Sequence, residues 1–101
     1  MIIHQREISY RENYAEFFEA LVKAKEYMEK KYPEISVELM YNLAGQRGYA
    51  TIQTRYASLA DYERIDAEAD NDEDYSKLFE SIIDATGDLP EDQFYRVIQS
   101  P

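Results

Sequence analysis

The chain has 101 residues, 45% hydrophobic and 14% aromatic, which suffices for one domain with a real core and argues against disorder. Its formal net charge of −10 disfavours binding to phosphate backbones or anionic lipid, so neither a nucleic acid nor a membrane is expected as a partner. Cysteine is absent, which excludes disulfides and thiolate metal sites and fits a reducing compartment. Because we recognise neither a signal peptide nor a membrane-spanning apolar run, we expect residues 1–101 to form a single cytoplasmic domain.

The first third of the chain predicts a strand and then a long helix. Residues 2–8 have the composition of a strand, and Ser9 with Glu12 has the spacing of a capping box. Apolar residues then recur at intervals of three, four and seven across residues 14–32, the pattern of one helix face. Pro33 should end this helix, because proline disfavours helical geometry in the residue before it.

A hairpin of two strands comes next. Residues 35–41 alternate between apolar and polar side chains, as expected for a strand with one buried face. Residues 42–48 contain two glycines and predict the connecting turn. Residues 49–56 form the partner strand, in which Ala50 and every second residue after it make up the apolar row.

Two helix patterns and a last strand complete the chain. Ser58, with an acidic residue three positions later, predicts the start of a helix over residues 58–69. Apolar residues across 75–83 predict another helix, with Gly87 as its expected C-cap. Residues 92–99 have the composition of a strand.

The acidic stretch between these helices, Asp66–Tyr75, holds six carboxylates in its first nine positions and raises the question of a calcium loop. In such a loop Asn71 would occupy the position that needs glycine, and Lys77 the position that needs a bidentate glutamate. A join between two helices fits better, since carboxylates at a helix N-terminus interact favourably with the helix dipole. His4, the only histidine, has no neighbouring ligand spacing. We therefore expect no metal site.

The order strand, helix, strand, strand, broken helix, strand predicts the fold. A βαββαβ chain usually forms an antiparallel four-stranded sheet with its helices on one face, the ferredoxin-like arrangement of α+β proteins. The other face of such a sheet either stays in contact with water or packs against a second copy of the chain.

Six polar strand residues are candidates for a pocket or an interface. Three share one row of the third strand, one lies on the matching row of the second strand, and two lie on the first strand in a row whose direction the sequence leaves open. They are His4, Arg6, Glu38, Tyr49, Gln53 and Arg55. Arginine can orient an anionic group and histidine or tyrosine can move a proton, but no residue is assigned a catalytic role. The alternative is that all six are ordinary solvated or interface residues.

Two stretches resemble NIPSNAP-like proteins. Arg6 and residues 15–17 match the family's opening strand with Glu-x-Arg-x-Tyr and its following Ala-Glu-Phe, although His4 and Ile8 replace the usual acid and tyrosine. Residues 56–63 match Tyr-x-Ser-Leu-Ala-x-x-Glu. The resemblance implies the dimeric α+β barrel superfamily, in which two ferredoxin-like subunits pack sheet against sheet. Each subunit of that superfamily keeps a pocket between sheet and helices or near the interface.

The same resemblance sets the functional expectations. Relatives include cofactor-free monooxygenases of antibiotic biosynthesis and haem-degrading monooxygenases, but the residues typical of haem degradation are missing, so no cofactor is expected. The first expectation is a homodimer that binds a small aromatic or anionic organic molecule, with no assigned activity. The alternatives are a cofactor-independent monooxygenase or isomerase acting on a small aromatic substrate, and a non-catalytic interaction domain.

Overall fold

A computed structural model describes residues 1–10, 14–43, 48–86 and 90–98 of the chain. The described residues form four strands and three helices, in the order that the sequence predicts, with the second helix region broken in two. The elements are β1 (Ile2–Ser9), α1 (Tyr14–Lys31), β2 (Ser36–Tyr41), β3 (Tyr49–Tyr56), α2 (Leu59–Asp70), α3 (Glu73–Thr86) and β4 (Glu91–Arg96).

The four strands form one antiparallel sheet in the order β2-β3-β1-β4. Gln5 at the middle of β1 lies opposite Gln53 of β3 on one side and Gln93 of β4 on the other. Because the helices lie on one face of this sheet, the predicted ferredoxin-like α+β fold is confirmed. β2 and β4 are the edge strands, and β1 and β3 form the centre.

The predicted capping box at Ser9 is wrong. Ser9 is the last residue of β1 and pairs with Tyr49, because the ladder between β1 and β3 runs further than the change of sequence period indicates. The pairing is extended by Tyr10, whose backbone N–H donates to the carbonyl of Gly48 at 2.8 Å. Gly48 has a φ of 84°, a conformation that side-chain-bearing residues rarely adopt.

The remaining boundaries differ in detail. α1 ends at Lys31, two residues before Pro33, as expected. β4 ends at Arg96, although the backbone N–H of Val97 still donates to the carbonyl of Met1 at 3.1 Å; residue 99, the end of the predicted strand, lies outside the described residues. Gly87, Glu12 and residues 44–47 of the predicted turn lie outside the described residues.

The acidic stretch is a join between α2 and α3. Residues 66–70 belong to α2, which Ser58 caps by accepting a hydrogen bond from the backbone N–H of Asp61. Asp72 begins α3 in the same way, since one of its carboxylate oxygens accepts from two backbone N–H groups, at 3.1 Å each. Its other oxygen accepts from the Tyr27 hydroxyl at 2.6 Å and from the Lys31 ammonium at 2.7 Å. The most acidic segment therefore fastens the third helix to the first.

Two apolar clusters hold the helices on the sheet, one at each end. The first cluster joins the start of β1 to β2 and α2 and contains Ile2, Tyr32, Ile35, Val37, Tyr56 and Ile65. The second joins the end of β1 to α1 and α3 and contains Ile8, Phe17, Leu21, Ala24, Ala50 and Ile82. In the described ranges no helix is both long and apolar enough to cross a membrane.

Candidate functional site

A cavity of about 550 Å³ lies between the sheet and the helices, between the two apolar clusters. Its origin can be traced along β1, where successive helix-facing residues are Ile2, His4, Arg6 and Ile8. The two isoleucines each enter one apolar cluster. The two polar residues between them line the cavity instead, so the core is interrupted at the middle of the sheet.

His4 and Arg6 share one carboxylate, that of Asp92. The Nε2 atom of His4 lies 2.8 Å from Oδ1 of Asp92, and Nε of Arg6 donates to the same oxygen at 2.6 Å. A longer contact of 3.4 Å joins Nη2 of Arg6 to Oδ2. The register places Asp92 directly opposite Arg6 across the β1–β4 pair, so the strand pairing itself brings the carboxylate next to the His4 and Arg6 side chains.

Aromatic rings surround this polar group. The imidazole of His4 stacks on Phe94, with ring centroids 4.6 Å apart and planes 12° from parallel. Tyr62 of α2 packs on both of these rings, at 5.8 Å from His4 and 4.9 Å from Phe94. The guanidinium carbon of Arg6 lies 5.0 Å from the centre of the Phe79 ring of α3. Both helices that follow β3 thus contribute rings to the cavity.

Burial makes His4 a neutral base. His4 is only 9% exposed, and this desolvation lowers its pKa more than the hydrogen bond to Asp92 raises it. For Asp92, burial raises the pKa, but the hydrogen bonds from Arg6 and His4 outweigh it and the net shift is downward. An ionised carboxylate only accepts hydrogen bonds, so the ring hydrogen of neutral His4 lies on Nε2 and Nδ1 carries the lone pair.

Three tyrosines on the cavity wall remain protonated over a wide pH range. Desolvation by burial raises the pKa of Tyr56, Tyr62 and Tyr75. Within the described parts of the chain, none of their hydroxyl groups donates a hydrogen bond to another residue. Each therefore remains able to donate to, or accept from, a molecule in the cavity.

The structure divides the six predicted site residues between opposite faces of the sheet. His4 and Arg6 face the helices and line the cavity. The other four point to the face that no helix covers, and none of them lines the cavity; they are Glu38, Tyr49, Gln53 and Arg55. Among these, Glu38 lies directly opposite Gln53.

The most informative member of the site, Asp92, is absent from the sequence-based candidates. Its register opposite Arg6 depends on where β4 pairs with β1, which the sequence of a short exposed strand does not define. Tyr62 and Phe79 lie within the helices predicted over residues 58–69 and 75–83, and their positions there do not by themselves indicate a site. A usable signal was nevertheless present, because the helix-facing row of β1 places two polar residues between two isoleucines.

The His4–Asp92 pair raises the question of metal ligation. Among the residues that the structure describes, no three histidine, cysteine, aspartate or glutamate side chains group as metal ligands. His4 and Asp92 do lie together, but the Arg6 guanidinium already occupies the same carboxylate. The group can instead accept and donate protons and hydrogen bonds next to aromatic surfaces.

The described elements form a ferredoxin-like α+β domain, and solved structures of other proteins share this fold. A NIPSNAP domain protein from Burkholderia xenovorans has a similar structure, with a TM-score of 0.81 and 12% identity over 100% of this chain and 99% of that one. An antibiotic biosynthesis monooxygenase-like protein from Deinococcus radiodurans gives a TM-score of 0.78 and 12% identity over 100% and 96% of the two chains. A variant of SnoaB, a cofactor-independent oxygenase from Streptomyces nogalater, gives 0.75 and 11% over 98% and 94%.

At these identities the likeness establishes the fold. It confirms that the structural resemblance inferred from the sequence holds over the whole chain. No protein-family model matches the sequence, and no curated protein is significantly similar to it.

Proposed function

We propose that the chain is a small-molecule-binding domain whose ligand enters the cavity with an aromatic ring. The cavity itself carries this proposal. Its volume of about 550 Å³ falls within the range of ligand pockets, roughly 300–1,000 Å³. Its walls combine apolar and aromatic side chains with a few polar groups, which is the usual composition of such a site.

The contacts of Arg6 favour a ring over a carboxylate or phosphate as the main recognised feature. Arg6 already donates to both oxygens of Asp92, at 2.6 and 3.4 Å, so its charge is neutralised within the protein. The Phe79 ring covers its guanidinium. Of the two expected ligand classes, aromatic and anionic, the aromatic one agrees with this arrangement.

Binding can be tested with 4-ethylphenol and two matched variants, in each of which one alanine of α2 is replaced by phenylalanine. Ala69 lines the cavity from α2, whereas Ala67 is exposed on the same helix. In an NMR titration we expect 4-ethylphenol to shift the backbone amide resonances around His4 and Tyr62. We expect Ala69→Phe to weaken binding by about tenfold or more, because the new phenylalanine ring fills part of the cavity. Ala67→Phe should bind like the wild type. Absence of binding to the wild type, or equal binding by both variants, would overturn the proposal.

The second part of the proposal is a homodimer formed through the uncovered face of the sheet. The four predicted residues on that face, Glu38, Tyr49, Gln53 and Arg55, would then belong to the interface. Light scattering at micromolar concentration should give twice 11.9 kDa. A mass of 11.9 kDa would remove the dimer and leave cavity binding intact. Residues 1–101 would form one domain in each subunit, and the lack of cysteine agrees with a place in the cytoplasm.

A second candidate function is a cofactor-independent oxygenase or isomerase acting on a small aromatic substrate. The His4–Asp92 pair favours it, because a neutral imidazole oriented by a carboxylate is suited to accept a proton from a phenol or an acidic C–H. The test is oxygen uptake, or deuterium exchange into the substrate, during incubation with polyphenols. Loss of turnover in His4→Gln with retained binding supports the enzyme, and no turnover by the wild type removes it.

The third candidate, a non-catalytic interaction domain, makes the opposite prediction for the cavity. If no aromatic ligand raises the Tm of the wild type, the cavity is not a binding site and an interaction role is the description that remains.

A further inference from the structure

The charges around the cavity are unevenly compensated. Among the residues that the structure describes, two cationic side chains line it, Arg6 and Lys25. Arg6 is paired with Asp92, and the Lys25 ammonium lies 2.6 Å from a carboxylate oxygen of Glu29 and 2.8 Å from the carbonyl of Val37. Neither cation is therefore free to hold an anionic ligand.

Three carboxylates on the same cavity are not compensated in this way. Asp66, Asp70 and Glu80 line the cavity and are exposed, which places them on its solvent side. Within the described ranges, none of them forms an ion pair. The opening of the cavity consequently carries uncompensated negative charge, in addition to the negative net charge of the chain as a whole.

The spacing along α2 aligns two of these carboxylates with a ring. Tyr62, Asp66 and Asp70 are four residues apart and so lie along one face of the helix, beside the buried Ile65. The negative charge of Asp66 contributes to the raised pKa of Tyr56, Tyr62 and Tyr75. Asp66 therefore acts electrostatically on the cavity wall and not only on solvent.

The aromatic walls also suit a positive charge. The face of an aromatic ring carries negative electrostatic potential and attracts ammonium and guanidinium groups. One such contact is already made within the protein, between the Arg6 guanidinium and the Phe79 ring at 5.0 Å. Tyr62 and Tyr75 provide further rings close to the uncompensated carboxylates.

We propose that the cavity selects aromatic amines: the ring enters between sheet and helices, and the ammonium group lies at the opening against Asp66 and Asp70. This inference rests on the proposed binding function and adds the sign of the ligand's charge. A carboxylate at the same place would meet Asp66, Asp70 and Glu80, and no described cation on the cavity wall is free to compensate it. The ring alone accounts for binding, and the carboxylates account for the selection.

Three ligands that share the same phenol ring separate the claim that the ring binds from the claim that the carboxylates select an amine. Tyramine carries an ammonium group, 4-ethylphenol carries no charge, and 4-hydroxyphenylacetate carries a carboxylate. Isothermal titration at low salt should give the affinity order tyramine, 4-ethylphenol, 4-hydroxyphenylacetate, with about fivefold or more between successive ligands. Added salt should weaken tyramine binding and leave 4-ethylphenol unchanged, because exposed charges are screened.

Isosteric variants assign the selection to α2. Asp66→Asn and Asp70→Asn should each reduce tyramine affinity by about threefold to tenfold and leave 4-ethylphenol affinity unchanged. Glu63→Gln removes the same charge from an exposed position of α2 that does not line the cavity, and should change neither affinity.

Each outcome decides one of the claims. If 4-ethylphenol binds but tyramine binds no better, or if Glu63→Gln has the same effect as Asp66→Asn, selection of amines is overturned and cavity binding stands. If 4-hydroxyphenylacetate binds most tightly, the charge assignment is reversed. If none of the three ligands binds, the proposed binding function fails and this inference fails with it.

Discussion

The two faces of the sheet are built from alternate residues of the same four strands, yet they differ in what surrounds each polar side chain. On the helix-covered face, His4 and Arg6 are both hydrogen-bonded to Asp92, and the pKa values of all three are shifted. On the uncovered face, a polar row runs straight across the sheet through Glu38, Gln53, Gln5 and Gln93. The helices therefore help to determine which polar residues form a candidate site, because they desolvate the charged groups on the face that they cover.

This comparison also explains why the cavity lies where it does. A polar residue under a helix prevents apolar side chains from closing the core at that point. The two clusters of buried residues are instead connected through the partly buried Leu39 and Ile52, which pack against both. On the uncovered face a polar residue displaces nothing. The same residue type thus borders a cavity on one face and lies on a surface without a described helix over it on the other.

The largest expected difference is between neighbouring residues of β1. Ile8 is 1% exposed and packs in the second apolar cluster, so Ile8→Ala should lower the free energy of unfolding by about 2–5 kcal/mol. Glu7 lies on the uncovered face, and Glu7→Ala should change it by about 0.5 kcal/mol or less. Urea unfolding at one protein concentration measures both. Equal losses would mean that the two faces are buried to the same depth.

The two arginines of the predicted site should behave differently. Arg6→Ala leaves Asp92 without its guanidinium partner and uncovers Phe79, and should cost about 1–2 kcal/mol of stability. Arg55 is exposed, and in the described part of the chain its side chain hydrogen-bonds only the sulfur of Met1, at 3.8 Å. Arg55→Ala should therefore leave the Tm of the folded subunit nearly unchanged. A larger loss for Arg55→Ala in a monomeric sample would contradict the division of the two faces.

Periodicity predicted the fold because each element carries its own signal. The alternation in β3 identifies the row that packs under the helices, and the stripe of α1 identifies the face that covers it. Ser58 marks the start of α2 by itself, since a cap depends only on the next few residues. The failure at Ser9 has the opposite cause: pairing with Tyr49, a residue distant in sequence, overrides a local helix signal.

The candidate site was less predictable because it depends on contacts between distant residues. The sequence identifies His4 and Arg6 as polar strand residues, but their direction follows from the register that pairs them with Thr54 and Ile52 in the helix-facing row of β3. Asp92 is separated from His4 by 88 positions, and only the register of an exposed edge strand brings them together. The cavity itself is a gap between two clusters, which no local pattern encodes.

The proposed dimer can be tested by placing a charge on the uncovered face. Gln53→Glu puts a second carboxylate directly opposite Glu38 and so adds a negative charge to the proposed interface. We expect the dissociation constant of the dimer to rise by about tenfold, because unpaired like charges in an interface are unfavourable. Sedimentation velocity at several concentrations measures it. Ala60→Glu adds the same charge at an exposed position of α2 and should have no effect, whereas equal weakening by both variants would point to net charge rather than the sheet face.

The smallest expected effect is a dependence of stability on pH that originates in His4. Burial and the nearby charge of Arg6 lower the pKa of His4 from 6.5, although Asp92 and Asp66 partly oppose the shift. On acidification the unfolded chain therefore binds a proton before the folded chain does, and the free energy of unfolding should fall as the pH drops from about 7 to about 5. His4 is the only histidine, so His4→Gln should remove most of this slope while keeping a partner for Asp92.

The contribution of Asp92, whose pKa is lowered from 3.8, should be lost only in more acidic solution. An unchanged slope in His4→Gln would show that the imidazole is as well hydrated in the folded state as in the unfolded one, and the cavity would then lack the desolvated base that distinguishes the covered face of the sheet.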